Sequence, residues 1–171
     1  MMMSCNLMKF ISVLFVVFIL HGCIRKVSSC RYDKEMPVTF DFKAEVNFGI
    51  YKIDTFTDSL TYKFDWDQDT TISFVIGLDF KKEIYQDLVD IDICKYPHSY
   101  APTTTLYITP HTDYYLEYRF KNDTSIIDWR VHSESNEVNA KRLRKVFEKI
   151  TKYIGGCDQI KLLPDCQLVF F

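Results

Sequence analysis

Three carboxylates stand at every second position of the segment DWDQDTT, as Asp65, Asp67 and Asp69. Alternate carboxylates of this kind begin a common type of calcium-binding loop, but that loop also requires glycine at its sixth position and a bidentate glutamate at its twelfth. Thr70 and Ile76 occupy those two positions here. We therefore interpret the segment as the solvated tip of a hairpin and predict no metal site.

Histidines offer another route to chemistry, because imidazole can act as a general base near neutral pH. His98 and His111 lie in the proline-containing segment 97–111, and His132 follows a predicted strand. None belongs to a nucleophile elbow or an H-E-x-x-H helix, and no glycine-rich phosphate loop predicts a cofactor. We interpret them as surface histidines. The alternative is a small secreted or envelope hydrolase with its site in the 97–111 loop.

An apolar run at residues 10–20 follows Lys9 and contains one polar residue, Ser12. A helix needs about 20 apolar residues to cross a bilayer, so this run is short for a membrane span. Its length and the basic residue before it are typical of the hydrophobic region of a secretory signal peptide.

The end of this run, Leu20-His21-Gly22-Cys23, resembles the lipobox of bacterial lipoproteins. The resemblance implies cleavage before Cys23 and attachment of acyl chains, palmitate among them, to its thiol and new amine. Anchoring by more than one acyl chain is stable. Within this class, Ile24 after the cysteine implies sorting to the outer membrane of the cell envelope.

The lipobox divides the chain into three expected regions. Residues 1–22 form the signal peptide, residues 23–37 form the lipidated cysteine and a tether, and residues 38–171 form one globular domain. The alternative is a secreted protein in which Cys23 is an ordinary cysteine after a standard signal cleavage.

Four further cysteines remain in the exported part: Cys30, Cys94, Cys157 and Cys166. An even number in an exported chain predicts two disulfides, with three possible connectivities. The segment CDQIKLLPDC makes a local bridge from Cys157 to Cys166 plausible, which would leave Cys30 to pair with Cys94. Buried free thiols are the alternative. No Cys/His spacing of a zinc site occurs.

Apolar residues occupy every second position between 38 and 50, which predicts one strand or two joined strands with a single buried face. These residues are Val38, Phe40, Phe42, Ala44, Val46, Phe48 and Ile50. The same alternation predicts a hairpin at 60–80 that turns at the polar residues 67–70. Residues 81–94 fit both a helix and a strand.

The second half of the chain predicts more strands and one helix. A hairpin is expected at 104–120 and a strand at 126–132. An apolar stripe at helical spacing predicts a helix within residues 136–154, and consists of Leu143, Val146, Phe147, Ile150 and Ile154. The expected fold is α+β, an antiparallel sheet with one long C-terminal helix packed on it. A β-sandwich with an appended helix is the alternative.

Composition limits the function classes. Hydrophobic residues make up 47% of the chain and charged residues 26%, which excludes a disordered protein. The formal net charge of −2 argues against general nucleic-acid binding. Residues 54–92 are acidic, whereas the predicted helix is basic, through Lys141, Arg142, Arg144, Lys145, Lys149 and Lys152.

A basic helix face can contact anionic headgroups or can simply be solvated. Because no catalytic motif is present, the sequence favours a lipid-anchored envelope protein that acts as a binding or structural module over an enzyme. The expected partners are the membrane, through the lipid anchor, and another envelope protein that meets the sheet or the acidic hairpin.

Overall fold

The structure is a computed structural model, and it describes residues 32–100, 113–121, 123–130 and 137–168. Six strands form one open antiparallel sheet with the order β4-β3-β2-β1-β5-β6. The strands are β1 (Asp41–Val46), β2 (Tyr51–Asp54), β3 (Ser59–Asp65), β4 (Gln68–Ser73), β5 (Asp113–Phe120) and β6 (Asp123–Arg130). The predicted α+β fold is thus confirmed, and the described residues contain a single sheet and no sandwich.

Two α-helices accompany the sheet, α1 (Leu78–Asp90) and α2 (Val138–Gly156). Helix α2 is the predicted C-terminal helix, and its buried residues are Ala140 and the whole predicted stripe, Leu143, Val146, Phe147, Ile150 and Ile154. It packs on β1 and lies against α1. Its N-cap is Glu137 and makes no side-chain capping bond.

Strand β1 sits in the interior of the sheet, between β2 and β5. Its alternation separates two faces, because successive side chains of a strand point to opposite sides. Phe42, Ala44 and Val46 are fully buried on the helix side. Lys43 and Glu45 lie on the other side and are partly accessible to solvent. The sheet therefore has one face covered by the helices and one polar face.

Two lysines on the polar face are paired with carboxylates across neighbouring strands. Lys43 Nζ lies 3.1 Å from Asp54 Oδ2, and Lys52 Nζ lies 2.6 Å from Glu45 Oε1. Both pairs join β1 to β2 at directly opposed positions. Opposite charges at such positions stabilise a sheet modestly, and here they neutralise these two lysines.

The carboxylate of Asp41, the first residue of β1, accepts hydrogen bonds from three side-chain donors. Its Oδ1 accepts from Lys81 Nζ at 2.7 Å and from Thr55 Oγ1 at 3.0 Å, and its Oδ2 accepts from Arg119 Nη2 at 2.6 Å. The Asp41 side chain is only 16% exposed. This carboxylate ties α1 and β5 to the start of β1.

The alternation over 38–50 breaks at both ends, which corrects the prediction of a continuous buried face. Val38 is fully exposed. Phe48 lies in the turn between β1 and β2, has a φ of 58°, and is 40% exposed. The amide of Ile50 closes this turn on the carbonyl of Asn47 at 3.0 Å. Only residues 40 to 46 and Ile50 keep the predicted burial.

The predicted hairpin at 60–80 exists, but its limits differ. Strand β3 continues to Asp65 and β4 begins at Gln68, so the chain turns at Trp66 and Asp67 rather than at 67–70. The strand was predicted to continue through Phe80. Instead, β4 ends at Ser73 and helix α1 begins at Leu78. The ambiguous residues 81–94 are helical as far as Asp90.

The described chain begins within the predicted tether, and its first two residues contact the domain. The Tyr32 hydroxyl donates to Asp92 Oδ1 at 3.1 Å and accepts from the amide of Cys94 at 2.7 Å. The amide of Asp33 donates to the Tyr85 hydroxyl at 3.2 Å. Among the described residues, no helix is long and apolar enough to cross a membrane.

Candidate functional site

Helix α2 carries three exposed lysines opposite its buried stripe. Lys141, Lys145 and Lys152 are spaced by four and seven residues, which places them on one helix face. All three are exposed, and none forms an ion pair with a described residue. Exposed Glu148 lies on the same face. We call Lys141, Lys145 and Lys152 the lysine stripe; these lysines lack the carboxylate partners that Lys43 and Lys52 have on the sheet.

The other basic side chains of α2 are engaged or lie to one side. Lys149 Nζ lies 2.5 Å from Asp87 Oδ2 and 3.7 Å from Glu83 Oε2, so it joins α2 to α1. The Arg144 guanidinium lies over the Trp129 ring, 5.9 Å from its centroid. Arg142 is exposed beside Tyr96. The six predicted basic residues are therefore not one uniform face.

A cleft of about 310 Å³ lies where α2 approaches the turn after β1. Asn47 and Phe48 from the turn form one wall. These two residues and Gly49 have consecutive positive φ values of 53°, 58° and 75°. Glycine adopts this conformation freely, whereas other L-residues pay roughly 1–2 kcal/mol for it. The neighbouring structure must therefore hold Phe48 in place.

Aromatic rings form the inner surface of the cleft. Tyr114 on β5 stacks on Phe147 of α2 with ring centroids 4.5 Å apart and an interplanar angle of 25°. The ring centroid of Trp129 on β6 lies 5.0 Å from that of Tyr114. Phe147 is 1% exposed and Trp129 is fully buried. The rings are thus fixed by the core, and Phe48 faces them from the turn.

Polar side chains of α2 border the cleft. Glu148, Thr151 and Lys152 line it together with Phe147. Residues three and four apart are neighbours on a helix surface, which places Thr151 beside Phe147 and Lys152 beside Glu148. The Thr151 hydroxyl donates to the carbonyl of Phe147 at 3.0 Å. Lys152 belongs to both the cleft and the lysine stripe, so the two features are continuous. Small-ligand sites combine apolar walls with a few polar groups in this way, and typically measure about 300–1,000 Å³.

The structure places His98 at the edge of the sheet. Its Nδ1 lies 2.9 Å from the carbonyl oxygen of Ile126, and its own carbonyl accepts from the amide of Asp128 at 2.8 Å. His98 thus covers part of the edge of β6. His111 and His132 lie outside the described residues, so the hydrolase alternative stays a prediction.

The cysteine predictions have different outcomes. Cys157 and Cys166 are free, so the local bridge predicted between them is absent. The thiol of Cys157 instead donates to the carbonyl of Tyr153 at 3.2 Å, and burial raises its pKa. Cys94 is disulfide-bonded. Cys30, its predicted partner, and Cys23, the predicted lipid attachment site, lie outside the described residues.

The predicted carboxylate triplet lies where β3 turns into β4. Asp65 Oδ1 accepts from the amide of Trp66 at 2.7 Å, and Asp67 and Asp69 are exposed. Among the described residues, no group of three or more histidine, cysteine, aspartate or glutamate side chains is arranged to hold a metal ion.

Sequence reasoning missed the cleft because its walls come from distant segments. The only local signal is the tripeptide Asn47-Phe48-Gly49, since asparagine and glycine favour turns. In the alternation from 38 to 50, Phe48 matched the buried positions and concealed that signal. Compared with known proteins, the chain matches no family model, and no curated protein matches it.

Proposed function

We propose that this chain is a lipid-anchored protein of the bacterial cell envelope that binds an acidic segment of another envelope protein through the lysine stripe of α2. The observation that supports the binding role is that three lysines share one exposed helix face without an ion-pair partner among the described residues. Unbalanced charge on a rigid element attracts an oppositely charged partner and orients its approach.

The layout of the helices favours a narrow partner over a flat anionic membrane. Helix α1 lies beside α2 and exposes three carboxylates, Asp79, Glu83 and Asp90. An anionic surface broad enough to reach α1 would be repelled by these carboxylates. A single extended segment is narrower than a helix with its side chains, about 10 Å, and can contact α2 alone.

The stripe also sets the length of the partner segment. Its first and last lysines are eleven positions apart, which at 1.5 Å per residue corresponds to about 16.5 Å along the helix. An extended chain rises about 3.3 Å per residue. A segment of about five or six residues, rich in aspartate or glutamate, therefore matches the stripe.

The binding role is tested with a fluorescent hexaglutamate peptide and fluorescence anisotropy. Replacing the whole lysine stripe with alanine should weaken binding by about tenfold or more, because each exposed ion pair contributes up to about 1 kcal/mol. The matched control removes three lysines that already have carboxylate partners: Lys43, Lys52 and Lys82.

The control changes the net charge by the same amount and should change the affinity by less than about twofold. Binding should also weaken with salt, because salt screens exposed charges. Equal losses in the two triple variants would mean that net charge alone drives binding, and would refute a specific site on α2.

The anchor is tested separately by metabolic labelling with an alkyne fatty acid. The lipobox-like residues 20–23 support lipid on Cys23, so the wild-type protein should be labelled and the Cys23→Ser variant should not. Membrane fractionation of the same cells should place only the labelled form with the membranes. Equal labelling of both forms would refute the anchor and leave the binding role to its own test.

A further inference from the structure

We infer that the cleft beside Lys152 is a seat for an aromatic side chain that lies next to a carboxylate in the acidic partner segment. This inference rests on the proposed function, because it specifies the chemistry of the residue that the partner inserts. The geometry that points to it is an aromatic surface and an ammonium group at the border of one cleft.

The size of the cleft suits one ring. Its volume of about 310 Å³ lies at the lower end of the range for small-ligand sites. Three aromatic residues line it, so an incoming ring can pack offset or edge-to-face against them. The stack of Tyr114 on Phe147 is already formed, so ordering these two side chains costs little on binding.

The turn after β1 fixes the third aromatic wall. Phe48 holds a left-handed backbone conformation and keeps 40% of its surface exposed. Strained residues that persist in folded proteins cluster at ligand-binding sites. Asn47 and Gly49 on either side share the positive φ, so the turn presents the Phe48 ring to the cleft as a unit.

Lys152 supplies the specificity for an anion. It lines the cleft, is exposed, and has no ion-pair partner among the described residues. Glu148, also on the border, would repel a carboxylate placed on its side of the cleft. A ligand should therefore enter with its ring toward Phe48 and Tyr114 and its carboxylate toward Lys152.

The test uses 3-phenylpropionate, which joins one phenyl ring to one carboxylate, and follows the aromatic ring signals of the full-length protein by NMR. It should shift the signals of Phe48, Tyr114 and Phe147, with a dissociation constant on the order of millimolar for a ligand of this size. Propionate, which lacks the ring, and 3-phenylpropanamide, which lacks the charge, should each bind more weakly.

Two variants of α2 locate the site. Lys152→Ala should weaken 3-phenylpropionate binding by about two- to fivefold, whereas Lys82→Ala, at an exposed lysine of α1 that does not line the cleft, should leave it unchanged. Thr151→Phe places a ring in the cleft and should weaken binding by about tenfold or more. Far-UV circular dichroism checks that each variant is folded, and Lys152→Ala replaces only an exposed side chain.

Equal binding of propionate and 3-phenylpropionate would overturn the aromatic seat, and so would unchanged affinity in a folded Thr151→Phe variant. The hexaglutamate assay separates this outcome from failure of the proposed function. If hexaglutamate still requires the lysine stripe while 3-phenylpropionate does not bind, only the cleft is refuted. If 3-phenylpropionate binds as expected while the affinity for hexaglutamate does not depend on the lysine stripe, the cleft binds an aromatic carboxylate but the acidic-segment partner is refuted.

Discussion

Phe42 and Phe48 belong to the same alternating run, yet their substitution by alanine should lower the free energy of unfolding by very different amounts. Phe42 is fully buried on β1 between β2 and β5, whereas Phe48 is 40% exposed in the turn. Removing a buried phenylalanine side chain costs about 3–5 kcal/mol through lost transfer energy and the cavity left behind. For Phe48→Ala, the smaller buried area gives an expected cost below about 1.5 kcal/mol.

The left-handed backbone at Phe48 does not change this comparison, because alanine pays a similar conformational cost there. Urea unfolding followed by circular dichroism measures both variants. With an m value of about 2 kcal/mol/M, Phe42→Ala should lower the midpoint by about 1.5–2.5 M, and Phe48→Ala by less than about 0.8 M. Equal shifts would show that Phe48 is buried like Phe42, and would refute both the turn at 47–50 and the cleft that depends on it.

Three further outcomes follow from single side chains. Asp41→Ala should cost about 1.5–3 kcal/mol in urea unfolding, because its carboxylate accepts three hydrogen bonds. Glu45 is partly accessible and pairs with Lys52 alone, so Glu45→Ala should cost less than about 1 kcal/mol. Equal costs for the two variants would contradict the role of Asp41. Iodoacetamide under native conditions should modify exposed Cys166 before Cys157, whose pKa is raised by burial; resistance of both in the denatured, unreduced protein would show that they are bridged. Burial and a hydrogen bond to a neighbouring carboxylate raise the pKa of Tyr115 from 10.0 to about 12, so the folded state favours its neutral form. That contribution is complete below pH 10 and is lost as the pH rises toward 12, and Tyr115→Phe should reduce the loss of stability over this interval; an unchanged pH profile would contradict it.

The strands and α2 could be predicted because each follows a single local period. Phe42, Ala44 and Val46 alternate on β1, and the spacing from Leu143 to Ile154 repeats that of a helix. In both cases one face is buried against the other element, so the apolar pattern and the burial agree. This agreement is what made the α+β class readable from the sequence.

The errors occurred where a short apolar run fits more than one structure. Phe74, Ile76 and Leu78 continue the alternation of β4, but Ser73 ends the strand and α1 begins at Leu78. Phe74 and Ile76 are nevertheless buried, so the pattern predicted their burial while misplacing the element. Period alone does not distinguish a buried connection from a strand.

The cleft could not be predicted because its lining residues come from segments that are far apart in the sequence. Phe48 and Phe147 meet only because β1 is interior to the sheet and α2 packs on it. The basic face of α2 was visible in the sequence, but the sequence did not show which of its basic residues would form ion pairs with α1. Asp87 engages Lys149 and leaves Lys152 without a partner among the described residues.

The lysines of the sheet and the lysines of α2 differ in their partners, and this difference has a physical reason. On the polar face of the sheet, Lys43 and Lys52 are neutralised by opposed carboxylates, so this face offers an approaching anion little net attraction. On α2, the buried stripe fixes the helix while the opposite lysines take no part in packing. Their charge can therefore be used for recognition at little cost to stability. The strained backbone of Phe48 lies in the turn that follows the interior strand β1. Because β1 is paired with a strand on each side, the sheet resists the rearrangement that would relieve this strain.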